Sequence, residues 1–242
     1  MSHFTVMVFG EDPEGQLAPY DENLGEECED PKWDWYSLGG RWSGYFKAKD
    51  IKKIFLGTPG VFNNVPANGY GDAMEKGNID LEGMKSDWIN EHGAKYDEIT
   101  SIIDKWIEDN TKDGVKPEPK PWSYYKGLVE NKAITLDEAR DMYRKKETYK
   151  LDLDVAGYHF WDEDPIEDFW SKTKDDYLDE SVKHCMVPYA YVKDGEWFGK
   201  GEMGWFGVSL DEMNYDEYLK SFWDTFNSLP DDTMVYLYDC HI

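Results

Sequence analysis

Both ends of this 242-residue chain read as β-strands, and that constrains the fold more than any other feature. Residues 4–9 (Phe-Thr-Val-Met-Val-Phe) form a β-branched and aromatic run. Met234-Val235-Tyr236-Leu237-Tyr238 form a second one, entered through the turn Pro230-Asp231-Asp232-Thr233. A strand must pair its backbone N–H and C=O groups with a neighbour, and the sequence between the two runs is largely helical in pattern. The expected fold is therefore α+β: a mixed sheet joining the N- and C-terminal strands, packed with several amphipathic helices.

Three stretches carry helical spacing. Leu81, Met84, Trp88 and Ile89 share one face, and Ile99, Ile102, Ile103, Trp106 and Ile107 form a second stripe with Asp97 or Thr100 as its cap. Thr135-Leu136-Asp137-Glu138 is a capping box that opens a helix reaching about Glu147. Tyr215, Leu219, Phe222, Trp223 and Phe226 predict a further amphipathic helix that stops before Pro230. Residues 187–193, Asp194-Gly195 and residues 196–198 read as a hairpin, and Trp33 to Phe46 as two extended segments around a Gly-Gly turn. The acidic sequence from Gly10 to about Pro31 reads as a solvated loop, and residues 57–71 as a long ordered one. Lys116-Pro117-Glu118-Pro119-Lys120-Pro121 is an extended connector that marks an internal boundary near 112–122. Neither flank has the makings of its own core, so residues 1–242 are expected to form a single composite domain.

Charge removes several classes of function. The chain has 51 acidic against 26 basic residues, a net charge of −25. Phosphate backbones and anionic lipid surfaces repel such a protein, so direct nucleic-acid binding and membrane binding are not expected. Disorder is excluded by the 11 Trp, 17 Tyr and 11 Phe available to a core. Three cysteines (Cys28, Cys185, Cys240) are too few and too odd in number for a disulfide framework, so a reducing cytoplasm is the expected setting.

Several blocks together resemble one family. They are the opening Met-Ser-His-Phe-Thr-Val, the block Trp33-Asp34-Trp35-Tyr36 followed by Gly39-Gly40-Arg41-Trp42, and the ending Pro230-Asp-Asp-Thr to Asp239-Cys240-His241-Ile242. Gly77-Asn-Ile-Asp-Leu-Glu-Gly-Met and Gly201-Glu-Met-Gly-Trp-Phe-Gly belong to the same pattern. The chain resembles, along its whole length, a family of uncharacterised phage and bacterial proteins. The resemblance implies a setting, the cytoplasm of a bacterial host cell and a role in host interaction, and it brings no activity with it.

Four groups of residues could carry chemistry. Arg41 follows two glycines that can turn backbone N–H groups toward an anion, and Trp33, Trp35 and Trp42 supply stacking faces around Gly39 and Gly40. These six residues are the candidate ligand-binding set, and an internal salt-bridge lock is the structural alternative. His3 and His241 could approach each other if the terminal strands are neighbours, but no Cys-x-x-Cys or His-x-x-x-His spacing prearranges a metal site. No cofactor is called for. Trp161, Asp162, Glu163, Asp164, Glu167 and Asp168 form an acidic, aromatic block whose commonest fate is a solvated loop; the functional alternatives are docking on a basic partner, or paired carboxylates that do acid–base work or hold a divalent cation. Gly199-Lys200-Gly201-Glu202-Met203-Gly204 matches dinucleotide-loop spacing but follows a hairpin rather than opening a βαβ unit, so it reads as a turn.

Two functions of different class follow. The first is an acidic phage- or bacterial-type binding protein that engages a basic site on a host protein, as an inhibitor of host defence or a DNA mimic. The alternative is a small-ligand or nucleotide-binding protein with the aromatic and Arg41 pocket, extending to a metal-assisted enzyme if the terminal histidines take part. The sequence leaves open whether the protein is an enzyme.

Overall fold

The computed structural model describes residues 2–59, 66–117, 120–146, 149, 166–204, 209–210 and 213–242. In chain order its strands are β1 (His3–Phe9), β2 (Trp35–Gly40), β3 (Phe46–Lys47), β4 (Thr58–Pro59), β5 (Tyr70–Gly71), β6 (Ala73–Glu75), β7 (Ala190–Lys193), β8 (Glu196–Gly199), β9 (Glu202–Met203), β10 (Ser209–Leu210) and β11 (Met234–His241). Its helices are α1 (Pro13–Leu17), α2 (Leu81–Asn110), α3 (Trp122–Glu130), α4 (Leu136–Arg144), α5 (Glu167–Ser171), α6 (Lys174–Ser181) and α7 (Tyr215–Ser228). The fold is α+β, and its main sheet runs β4-β2-β11-β1-β7-β8 with β6 also on β11.

The terminal strands pair as expected. β1 and β11 are antiparallel over their whole length, from His3 opposite His241 to Phe9 opposite Val235. β1 pairs parallel with β7, and β2 parallel with β4, which makes the sheet mixed. β11 is also flanked on its other side, by β2 at residues 238–241 and by β6 at 234–236. At the gap between them the Leu237 N–H donates to the Asp72 carbonyl, so the ladder hardly breaks. Such a strand is buried on both faces and reads as a nearly continuous apolar run, which is why the ending was conspicuous in the sequence.

Side chains alternate between two cores in this sheet. Phe4, Val6, Val8, Tyr238 and Cys240 pack on one face with Leu17, Trp33, Ala190 and Val192. Segment 11–33 lies over this face, and it is not an unstructured loop. Asp12 caps α1 by accepting from the Gly15 N–H, Pro13 takes the first helical position, and two 3₁₀ turns follow. The other face carries Phe9 and Tyr191, which meet Phe222 and Phe226 of α7 at ring separations of 5.8–6.5 Å.

The chain divides into two compact units, Met1–Asp87 with Lys183–Ile242, and Trp88–Val182. The sheet belongs to the first. The connector Lys116–Pro121 lies inside the second, whereas one border falls within α2. Two helices were expected across 81–107, and one of 30 residues is found. Gly93 is accommodated in mid-helix, and Thr100, expected as a cap, instead donates its hydroxyl back to the Tyr96 carbonyl at 2.7 Å. In the second unit Ile99 and Ile103 bury against Ile166, while Trp122, Tyr125, Ala139 and Tyr143 form a separate cluster between α3 and α4. Ile102 of the predicted stripe faces outward. The capping box is present as read: Thr135 Oγ1 accepts from the Glu138 N–H, and the Glu138 carboxylate accepts from the Thr135 N–H. Among the described residues no helix is long and apolar enough to cross a membrane.

The three thiols are free, and two of them are buried. Burial pushes the Cys185 thiol up to about 11, and that of Cys240 well above its ordinary value. At about pH 8 a thiol reagent should therefore reach the partly exposed Cys28 first, while burial keeps the other two protonated and inaccessible. Titration with Ellman's reagent should count one fast thiol in the native protein and all three in denaturant.

Candidate functional site

The face of the sheet covered by α7 ends in polar groups. Alternation places His3 on β1 and Asp239 and His241 on β11 on this same face, beyond Met7 and Leu237. His3 and His241 are direct cross-strand partners, and their rings meet edge to face with centroids 4.8 Å apart. Each imidazole is held through Nδ1 by its own carboxylate. His3 Nδ1 donates to Asp239 Oδ1 at 2.7 Å, and His241 Nδ1 to Asp34 Oδ1 at 2.5 Å. A carboxylate oxygen can only accept, so these contacts put a hydrogen on Nδ1 of each ring and leave Nε2 outside them. Trp35 of β2 stands opposite His241, with its ring edge-on to His3 at 6.2 Å. Half of its surface is open to solvent, which is unusual for an indole next to a core.

The Gly-Gly-Arg turn is tied to this cluster through Asp239, whose side chain is only 1% exposed. While Oδ1 takes His3, Oδ2 accepts from the Arg41 backbone N–H at 2.9 Å. Gly39 and Gly40 both have left-handed backbones, with φ of 72° and 50°. A Cβ on Gly40 would stand 2.4 Å from that of Asp239, and one on Gly39 would stand 2.3 Å from the carboxylate of Asp72. Asp72 is itself fully buried and accepts from Ser43 Oγ and from the N–H groups of Gly44 and Gly57. Two adjacent glycines therefore close over two buried carboxylates, which fix the loop that follows.

The sequence candidates separate accordingly. Arg41 is an exposed residue that reaches the cluster through its backbone N–H, Gly39 and Gly40 pack on Asp72 and Asp239, and Trp35 stands beside His3. The half-buried Trp42 closes the turn, its N–H donating to the Gly39 carbonyl. Trp33 does not line this site. It packs on the opposite face of the sheet, and its indole N–H donates to the Leu17 carbonyl. His3 and His241 do come together. Among the described residues, however, no three His, Cys, Asp or Glu side chains converge so as to hold a metal ion. In the second unit Glu167 accepts from Ser123 Oγ at 2.7 Å, and Asp168 pairs with Lys172 at 2.8 Å. Trp161, Asp162, Glu163 and Asp164 lie outside the described residues. Asp34 and Asp239 escaped sequence reasoning, although both sit in the motifs that were singled out. The available signal was the antiparallel alternation, which puts an acid two residues from His241 on the histidine face.

No family model, curated protein or solved structure matches the chain.

Asp72 and Gly40 allow a direct test of this scaffold. Asp72→Ala strands two backbone donors and a hydroxyl in the interior, and should cost about 3 kcal/mol in urea denaturation. Gly40→Ala adds a left-handed penalty to a steric overlap and should lose at least about 2 kcal/mol. Unchanged midpoints for both variants would mean that the turn is not held as described.

Proposed function

We propose that the protein binds a small anionic ligand carrying a planar ring, such as a nucleotide, where His3, His241, Trp35 and Arg41 meet, and that the two imidazoles are its acid–base pair. The observation that carries this reading is the division of Asp239 between His3 and the Arg41 backbone. It couples the proton-transfer group to the turn that presents the cation. Nδ1 of each ring is occupied by a carboxylate, an arrangement that orients imidazole and stabilises its charged form during proton transfer. Two such rings side by side can supply one base and one acid. Arg41 offers a planar bidentate fork for phosphate or carboxylate, and the open face of Trp35 offers a stacking surface. In a chain of net charge −25 with three arginines, an exposed arginine is a specific resource for drawing in an anion.

Titrating the protein with nucleoside monophosphates, nucleosides and inorganic phosphate, read by tryptophan fluorescence and calorimetry, tests this assignment. A nucleotide should bind more tightly than its nucleoside. Arg41→Ala should weaken binding by about 10- to 100-fold, as expected for a lost charge-assisted pair. Trp35→Ala should abolish the fluorescence change, and His3→Asn should leave binding in place while removing turnover of an ester substrate. Binding that ignores both Arg41 and Trp35, or no binding at all, would overturn the reading.

A second reading, an acidic module that docks on a basic site of a host protein, draws support from the segment over the opposite face. Glu11, Glu14, Glu22, Glu26, Glu27 and Glu29 are all exposed there, with Leu24 45% exposed among them. Exposed acids around an apolar anchor suit steering toward a basic partner. The family resemblance, with its phage and bacterial setting, agrees with that use. For such a partner, charge-reversed Glu26→Lys/Glu27→Lys protein should associate about tenfold more slowly at low salt, and the difference should vanish at high salt.

A further inference from the structure

A separate cleft opens on the face of the sheet away from the histidines, at the Gly199-Lys200-Gly201 turn that dinucleotide-like spacing drew attention to. Its volume is about 320 Å³, and Asp30, Lys32, Trp197, Lys200, Glu202 and Met213 are among its walls. That is the lower end of the range for small-molecule sites. Trp197 is fixed from behind, its ring packed against Phe4 at 6.5 Å and Tyr20 at 5.1 Å. Among the described residues nothing accepts a hydrogen bond from its indole N–H. Gly199, next to this N–H, has no left-handed backbone that would require glycine. A Cβ there would instead stand 3.0 Å from Trp197 Nε1 and 3.2 Å from the Gly201 carbonyl oxygen. The missing side chain keeps an indole donor and a carbonyl acceptor open to the cleft.

The charges of the cleft are balanced. Lys32 bridges Asp30 at 2.7 Å and Glu202 at 2.8 Å. Burial works against its charge, but the two carboxylates outweigh that and hold its pKa above the ordinary value. The Lys200 ammonium sits over the Tyr215 ring at 5.0 Å. The lining itself carries two acids and two lysines, so neither sign of charge predominates among its side chains. They present acceptors and donors side by side, together with an aromatic wall. A ligand that matches has hydroxyl groups, which donate and accept at once, around a compact ring with an apolar C–H face.

We infer that this cleft is a binding site for a neutral polyhydroxylated ring, a monosaccharide or a terminal sugar unit, with Trp197 as its platform and indole donor. The site is independent of the histidine cluster, because Phe4 beneath Trp197 and His3 point to opposite faces of β1. The test is an amide and indole NMR titration of the full chain with glucose, galactose, mannose and N-acetylglucosamine, with acetate and methylammonium as charged comparisons. The indole resonance of Trp197, assigned by its loss in Trp197→Phe, should shift saturably with at least one sugar, in the millimolar range, and with neither ion. Glu202→Gln, an exposed and isosteric change, should weaken that binding about tenfold, and Gly199→Ala should block it. Arg41→Ala should leave it intact, which separates this site from the proposed nucleotide site. A Trp197 resonance indifferent to every sugar, or responding to acetate or methylammonium instead, would overturn the inference, as would sugar binding untouched by both Glu202→Gln and Gly199→Ala.

Discussion

The antiparallel pairing of the first strand with the last is the interaction on which the rest of the first unit depends. It brings together residues more than 220 positions apart and does so in one register only, because a slip by one residue would turn each apolar side chain of β1 to the wrong face. β11 then serves as the hub, taking β1 on one side and β2 and β6 on the other. Contacts of such long range cost loop-closure entropy before they return any burial. The cost is met by two cores that share this strand, one under segment 11–33 and one under α7. Removing either cover would expose one whole face of the central pair.

Two carboxylates placed inside that frame extend its order into a loop. A buried charge is costly unless it is fully hydrogen-bonded, so each of Asp72 and Asp239 obliges the surrounding backbone to supply donors. Asp72 gathers the N–H groups of Gly44 and Gly57 with the Ser43 hydroxyl, and Asp239 gathers the Arg41 N–H with His3. Gly39 and Gly40 are the residues that let the chain pass close enough for this to happen. The sequence reading of the Gly-Gly pair, that it turns backbone donors toward an anion, describes the chemistry that is present. The anions are the protein's own aspartates, and Arg41 gives its backbone N–H to one of them.

What was legible in the sequence follows the range of the forces involved. The capping box at Thr135, the Asp194-Gly195 hairpin, the α7 stripe and the closing strand are set by neighbours within a few residues, and the structure has each of them. The pairing of the termini could be inferred because two apolar strands at the ends of a chain need partners. The continuity of α2 was obscured by a glycine in mid-pattern and by a threonine that mimics a cap. Trp33 and Trp35 show the limit most plainly. They lie two residues apart in one aromatic motif, yet Trp33 precedes the strand and folds back to meet Leu17, while Trp35 stands in β2 beside the histidines. Sequence proximity grouped them, and the sheet's two faces separate them. Asp34 between them, with no obvious role in the linear motif, becomes the anchor of His241.

The same logic explains why polar chemistry collects at this end of the sheet. Where α7 stops covering β1 and β11, the face changes from Phe9 and Leu237 to His3, Asp239 and His241 without any change in strand geometry. Side chains there are held by a rigid ladder but are not sealed from water, which are the conditions under which an imidazole can both keep its orientation and exchange a proton. The opposite face reaches a comparable state by another route, through the Trp197 platform and the two ion pairs of Lys32. Both arrangements hang on consecutive residues of one strand, His3 on one side and Phe4 on the other. A single closing interaction between the chain ends thus gives an overwhelmingly acidic protein two fixed polar surfaces whose local chemistry its net charge does not dictate.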